Sequence, residues 1–336
     1  MPPAIPSCAS FCARTSWRYP KSGGSAGGAP AVGAKRVAGI HPWVWHNGER
    51  VAGAGLRLSP WQAGLLTGWG LFSTLRIYQG VPFAWEDHWA RLAADAAQLH
   101  VDTVGLREQA ERGLAELVAA NAAPEAVARI YLIRNHGGLL APPAGGAGSR
   151  PTDLLLVTLP LRAWRPRAAL RLQPHGRHAQ APLARTKTLT WSHNLVLVEA
   201  ANAAGFDDVL LLNERGEVAE CTSANVFVAR AGRLFTPPLD SGALPGVSRK
   251  VLLEAAPRHG LAIAEAVLRE ADLRAADEIF ITSTTREVQP VERVDGWSVP
   301  QGPLASRAAL ALRAEVARYL AAHTPPLRPE TGQVHA

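Results

Sequence analysis

At Trp85 the apolar period of the chain changes from that of a strand to that of a helix. This change constrains the fold more than any other feature. Before it, Phe72–Tyr78 reads as a strand, preceded by a strand and turn at Trp43–Gly48 and a Gly-rich segment from Gly64 to Gly70. After it, Trp89, Leu92, Ala96 and Leu99 fall on one helical face, and Leu106, Ala110, Leu114 and Leu117 repeat the pattern over 106–120. Strands return at Arg129–Arg134 and Asp153–Leu159. Strands and helices therefore mix without a strict strand–helix–strand alternation, so a mixed α/β (α+β) chain of two domains is expected. The stretch 161–182, rich in Pro, Arg and Gln, reads as the connector. Beyond it come a helix at about 191–203, strands at Asp208–Leu212 and Ala224–Ala229, a helix at 248–258, a strand at Glu278–Thr282 and a long helix at 304–322. The expected domains are 41–160 and 183–323.

Composition narrows the function classes. Residues 1–40 are rich in Pro, Gly, Ala and Ser without apolar periodicity and are expected to be a disordered extension; 324–336 is a short polar tail. The extension holds Arg14, Arg18, Lys21, Lys35 and Arg36 and no acid, so five of the seven net positive charges lie there. The body is near neutral and lacks the basic stripe that a nucleic-acid backbone calls for. Hydrophobic residues make up 47% of the chain, yet no run approaches the ~18 apolar residues of a membrane span, so a soluble protein with no membrane partner is expected. Cys221 is the one cysteine of the body, which excludes an intramolecular disulfide framework there and fits a reducing, cytoplasmic setting. No Cys or His cluster has metal-ligand spacing.

The body after residue 40 contains only two lysines, Lys187 and Lys250, among many arginines. Arginine cannot replace lysine where chemistry needs a primary amine that gives up its proton. A retained lysine therefore points to imine chemistry. Lys187 lies in the run Arg185–Thr190, just before a helix. Four further motifs accompany it. Glu86–Leu92 carries Arg91 on the first long helix, and Glu217–Phe227 carries Glu220. Leu244–Arg249 opens a helix whose Val247 and Ser248 N–H groups would point at an anion. Ser283, Thr284 and Thr285 follow a strand and offer hydroxyls and a backbone nest.

These five motifs, in their order along the chain, resemble the class IV aminotransferases, the group that holds branched-chain aminotransferases, D-amino-acid aminotransferases and aminodeoxychorismate lyase. The resemblance runs from about residue 43 to 322. It implies the two-domain fold type IV of pyridoxal-phosphate enzymes, similar to D-amino-acid aminotransferase, and a homodimer. It further implies that Lys187 carries pyridoxal 5'-phosphate as a Schiff base, that Glu220 pairs with the pyridine nitrogen, and that Arg91, Val247, Ser248, Ser283 and Thr284 hold the phosphate. Each role has a physical reason. An amine attacks an aldehyde only when neutral, so burial and neighbouring cations must lower its pKa. Once released, the same amine can move a proton between the substrate Cα and the cofactor carbon. A carboxylate keeps the ring nitrogen protonated, and the ring then accepts the electron pair left at Cα.

The chain departs from its relatives in Gly68–Arg76. Trp69 replaces a usual aspartate, and Ser73 stands where transaminases usually have glutamate; the lyase is similar in having a hydroxyl there. Glu220-Cys221 also looks like the lyase, whereas Phe280–Thr285 is most similar to D-amino-acid aminotransferases. The candidate substrate contacts are Phe72, Ser73, Arg129, Tyr131, Arg134 and His136. Arg134 and His136 share one strand face, and Arg129 and Tyr131 share the other. Trp191 and His193 follow the lysine closely enough to lie near the cofactor. The expected reaction is amino-group transfer between an amino acid (branched-chain-like or D) and a 2-oxo acid. Loss of pyruvate from aminodeoxychorismate to give 4-aminobenzoate stays open, as does a non-catalytic binding protein on the same fold.

Overall fold

A computed structural model of the chain describes residues 39–58, 62–135 and 150–323. The expectations for residues 1–38 and for the tail 324–336 lie outside them.

The first half forms a six-stranded antiparallel sheet. Its strands are β1 (Trp43–His46), β2 (Glu49–Ala52), β3 (Gly70–Tyr78), β4 (Val81–Pro82), β5 (Ala126–Arg134) and β6 (Thr152–Leu159), in the order β2-β1-β6-β5-β3-β4. A short helix, α1 (Ala63–Thr67), precedes β3, and two long ones, α2 (Trp85–Gln98) and α3 (Leu106–Ala120), cover one face of the sheet. The expected apolar stripe of α2 is buried, with Trp85 added. Glu86 and Asp87 in the first turn of α2 suit the positive end of the helix dipole. Gly113 lets α3 lie close to β1, because a Cβ there would sit 2.7 Å from the Trp45 ring. Along β3 the period of two decides what points where. Leu71, Ser73, Leu75 and Ile77 are buried, and Phe72 and Thr74 turn to the opposite face.

The second half builds a nine-stranded sheet from β7 (Ala168–Gln173), β8 (Asp208–Leu212), β9 (Val218–Cys221), β10 (Asn225–Arg230), β11 (Arg233–Thr236), β12 (Ile263–Glu265), β13 (Glu278–Ser283), β14 (Glu287–Val294) and β15 (Trp297–Ser298). The order is β12-β11-β10-β13-β14-β7-β8-β9, with β15 beside β14. The chain passes from β9 into β10 through a turn closed by Cys221 N–H to Ala224 C=O, so the last strand of that order also touches the third and the sheet curls. The stretch expected to be only a connector contains β7, which is paired in parallel with both β8 and β14.

Four helices dress this sheet: α4 (Ser192–Ala203), α5 (Val247–Ala255), α6 (Glu270–Arg274) and α7 (Leu304–His323). Phe227 and Phe280 stack at 4.9 Å between β10 and β13 and pack with Leu252 of α5 and Ala308 and Leu312 of α7. A strand residue caps α7, since Glu278 accepts the N–H groups of Leu304 and Ala305 at 2.7 and 2.9 Å. Among the described residues no helix is long and apolar enough to cross a membrane.

Candidate active site

The lysine segment lies against β3 almost as an extra strand. Phe72 N–H donates to Lys187 C=O at 3.0 Å, and Leu189 N–H donates to Gly70 C=O at 2.9 Å. From the other side Lys187 N–H donates to the Asp95 carboxylate of α2 at 3.2 Å. The backbone of Lys187 is thus held between β3 and α2, and its Nζ lies 4.5 Å from the centre of the Phe72 ring. Burial, and after it the Arg91 guanidinium, lowers the Lys187 ammonium to about 8; Arg129 acts the same way, and Glu220 and Asp95 oppose. At neutral pH the neutral fraction of such an amine is a few hundredfold above that of an ordinary lysine.

Glu220, at the end of β9, is buried. One carboxylate oxygen accepts from the Arg177 guanidinium. The other accepts from Leu244 N–H at 3.0 Å and the Asn225 amide at 3.4 Å. Burial raises its pKa, against the pull of Arg177, the Leu244 N–H and Lys187.

Arg91 forms an anion cradle with the start of α5. Its guanidinium donates to Pro245 C=O at 3.3 Å and to Ser73 Oγ at 3.1 Å. Burial lowers its pKa, opposed by Asp95 and Glu220. No carboxylate lies within ion-pair distance of it among the described residues. Pro245 leads through Gly246 into Val247 and Ser248, whose N–H groups at the start of α5 have no acceptor within the helix. Gly246 permits this close approach, because a Cβ there would fall 1.9 Å from the Asn225 amide oxygen. Replacing Gly246 by alanine is expected to destabilise the fold by about 1–3 kcal/mol through overpacking, read as a lower melting temperature.

These groups meet in one cavity of about 1220 Å³, whose wall includes Lys187, Glu220, Arg91, Val247, Ser248, Ser283 and Thr284. The donor set fits pyridoxal phosphate: an amine of lowered pKa for an aldehyde, a buried carboxylate for a ring nitrogen, and a cation beside a helix start for a phosphate. The substrate candidates divide. Phe72 and Arg129 line the same cavity. Tyr131 stacks on Phe72 with ring centres 6.0 Å apart, and its hydroxyl accepts from Arg129 at 3.4 Å. Ser73 is not on the wall; it shares the opposite face of β3 with Leu71 and Leu75. Arg134 is also off the wall, with its guanidinium 4.2 Å from the centre of the Trp69 ring. His136 lies outside the described residues. Trp191 and His193 line the cavity, and the His193 ring bonds Gly176 C=O at 3.0 Å.

Three contributors had no place among the expected site residues: His88, Asp95 and Arg177. His88 and Asp95 flank Arg91 at helical spacing on the buried face of α2, so polar residues on an apolar stripe were the available signal. Arg177 lies in the stretch read as connector, where an arginine among other arginines carries no signal.

Residues 70–294 match the family described as Amino-transferase class IV. A Methanocaldococcus jannaschii protein provisionally named a branched-chain-amino-acid aminotransferase is 31% identical over 253 residues, covering 75% of this chain and 88% of that one. The D-alanine aminotransferase of Bacillus licheniformis is 30% identical over 244 residues, covering 69% and 81%. Among solved structures, a branched-chain amino acid aminotransferase from T.th., crystallised with pyridoxamine 5'-phosphate, superposes with a TM-score of 0.75 at 25% identity, covering 84% of this chain and 97% of that one. In motifs, fold and family match alike, the chain belongs to the class IV aminotransferases, a family of pyridoxal-phosphate enzymes.

Proposed function

We propose that this enzyme moves an amino group between a branched-chain-like or D-amino acid and a 2-oxo acid in two half-reactions, with Lys187 carrying the cofactor. One observation supports this reading above the others: the amine of lowered pKa, the buried carboxylate and the anion cradle face a single cavity. Pyridoxal phosphate, when bound, supplies an electron sink for the bonds at the substrate Cα. Lys187 would hold the cofactor through its amine of lowered pKa and would move a proton at the substrate Cα. Glu220, steadied by Arg177, Leu244 and Asn225, holds the proton on the ring nitrogen. Arg91, the Val247 and Ser248 N–H groups, Ser283 and Thr284 hold the phosphate.

Arg129 suits the substrate carboxylate. It lines the cavity and pairs with no carboxylate within ion-pair distance among the described residues. Phe72, Val127, Leu159 and Trp164 on the same wall suit an apolar side chain. The lyase reading drew on Ser73 and on Glu220-Cys221. Ser73 turns its hydroxyl to Arg91 and His88 behind the wall, so it offers nothing to a substrate, and this weighs toward transfer. A homodimer is part of the proposal, supported by apolar side chains left exposed on α1 and α4: Leu65, Leu66, Leu195 and Val196. A reducing, cytoplasmic setting suits the buried free thiol of Cys221.

The test offers L- and D-amino donors with 2-oxoglutarate, and aminodeoxychorismate separately. Amino transfer that requires the 2-oxo acid is expected. Pyruvate released from aminodeoxychorismate with no 2-oxo acid present would overturn the reading.

A further inference from the structure

Behind the cavity wall lies a buried polar chain that the proposed reaction does not use directly. His88 of α2 and Ser73 of β3 are 1% and 0% exposed, in the middle of an otherwise apolar interface. The His88 ring, through Nδ1, lies 3.0 Å from Ser73 Oγ, and Ser73 Oγ accepts from Arg91 Nη2 at 3.1 Å. Polar groups in such a place are costly unless bonded, so their presence calls for a reason.

The proton count assigns the roles. Arginine only donates, so Ser73 Oγ is the acceptor toward Arg91. The Ser73 hydroxyl has one proton of its own, and besides the bond it accepts from Arg91 its one side-chain hydrogen bond among the described residues is that with His88. If the imidazole donated from Nδ1, the Ser73 proton would have no acceptor in a fully buried site. With Nδ1 bare, the Ser73 proton goes to the ring, and both bonds are satisfied. The ring is then neutral with its proton on Nε2, which has no partner among the described residues; the other tautomer would leave two atoms unpaired, the Ser73 hydroxyl proton and a bare Nε2. Burial and the Arg91 and Lys187 charges also hold the His88 pKa well below its ordinary value, in keeping with a neutral ring. Donation to the imidazole fixes the hydroxyl rotor and makes Oγ a stronger acceptor for the guanidinium. Arg91 itself is a half-buried cation whose other hydrogen bond among the described residues is to the carbonyl of Pro245, next to the start of α5. Its aim rests on these two acceptors.

We propose that His88 is a positioning residue that acts through Ser73: by taking the Ser73 proton, it sets the oxygen that holds Arg91 toward the cofactor phosphate. The proposal rests on the reading of Arg91 as the phosphate cation. It gives Ser73 a place in cofactor binding rather than in substrate binding.

The experiment titrates apoenzyme with pyridoxal phosphate and, in parallel, with pyridoxal, which lacks the phosphate, and follows the absorbance change for each. Wild type is expected to hold the phosphorylated form far more tightly. Ser73→Ala removes one oxygen and His88→Leu removes the acceptor. Each is expected to weaken pyridoxal phosphate about tenfold and to leave pyridoxal within about twofold, the size of a hydrogen bond to a charged group. His88→Asn, whose amide oxygen can stand in for Nδ1, is expected to restore most of the loss. The double variant S73A/H88L is expected to be no weaker than S73A alone, since both act on one path. Equal losses for both ligands would mark a merely structural role and overturn the proposal. Unchanged affinity for pyridoxal phosphate, or H88N as weak as H88L, would overturn it too. A wild type that prefers pyridoxal phosphate while the variants keep that preference sinks this proposal alone. A wild type that binds neither ligand sinks the cofactor reading with it.

Discussion

Lys187→Arg will reduce amino transfer by at least about four orders of magnitude, while the chain stays folded. The guanidinium keeps the positive charge but does not lose its proton in the working range, so it neither attacks an aldehyde nor carries a proton from Cα. Activity with and without added pyridoxal phosphate, together with the absorbance change on adding it, checks this. Retained turnover would remove Lys187 from the chemistry. The same residue sets a pH signature. Its pKa is lowered to about 8, so the neutral fraction rises about tenfold per pH unit below that value and levels above it. The rate at which apoenzyme takes up pyridoxal phosphate should follow that curve. A rate still climbing steeply above pH 9 would mean an ordinary lysine.

Glu220→Gln is expected to lower turnover on the order of 100-fold, the value of a hydrogen bond to a charged group lost where charge must be held. It also carries a folding cost that Lys187→Arg does not. Arg177 is left without its carboxylate in a largely buried place, and breaking such a pair from one side costs about 3 kcal/mol. The two losses are separable. Activity per folded molecule reports the first, and a denaturant titration reports the second. A variant less stable but fully active would make Glu220 a structural anchor and nothing more.

The parts of the molecule that were legible in the sequence are those fixed by neighbours along the chain. Trp89, Leu92 and Ala96 of α2 mark their helix face because their periodicity is local. β7 was hidden because it is six residues long between prolines, and its partners, β8 and β14, lie far along the chain. β14 was hidden by Pro290, which argues against a strand; the sheet tolerates it because β14 changes partner there, from β13 to β7, with a register shift between Val291 and Arg293. The site divides in the same way. Lys187 stood out through the scarcity of lysine. Asp95 could not be paired with it, since 92 residues separate the two and only packing joins them. Arg134 and Ser73 were reasonable pocket residues by type, but which face of a strand looks into a cavity depends on what covers the other face. In this chain α2 covers the Ser73 face.

The clamp on Lys187 has a consequence for how such enzymes diverge. The residue belongs to the second half of the chain, yet the first half sets its backbone through Phe72 and Asp95 and also supplies Arg129 and Arg91. The buried Glu220 carboxylate comes from the second half alone. Selection can therefore redraw this side of the cavity wall by changing β3 and β5 without touching Glu220. It cannot exchange the first half freely, because the seat of the Lys187 amine is inherited with it. Chimeras that trade first halves should keep function only when the β3 backbone and Asp95 travel as one piece with the loop they grip.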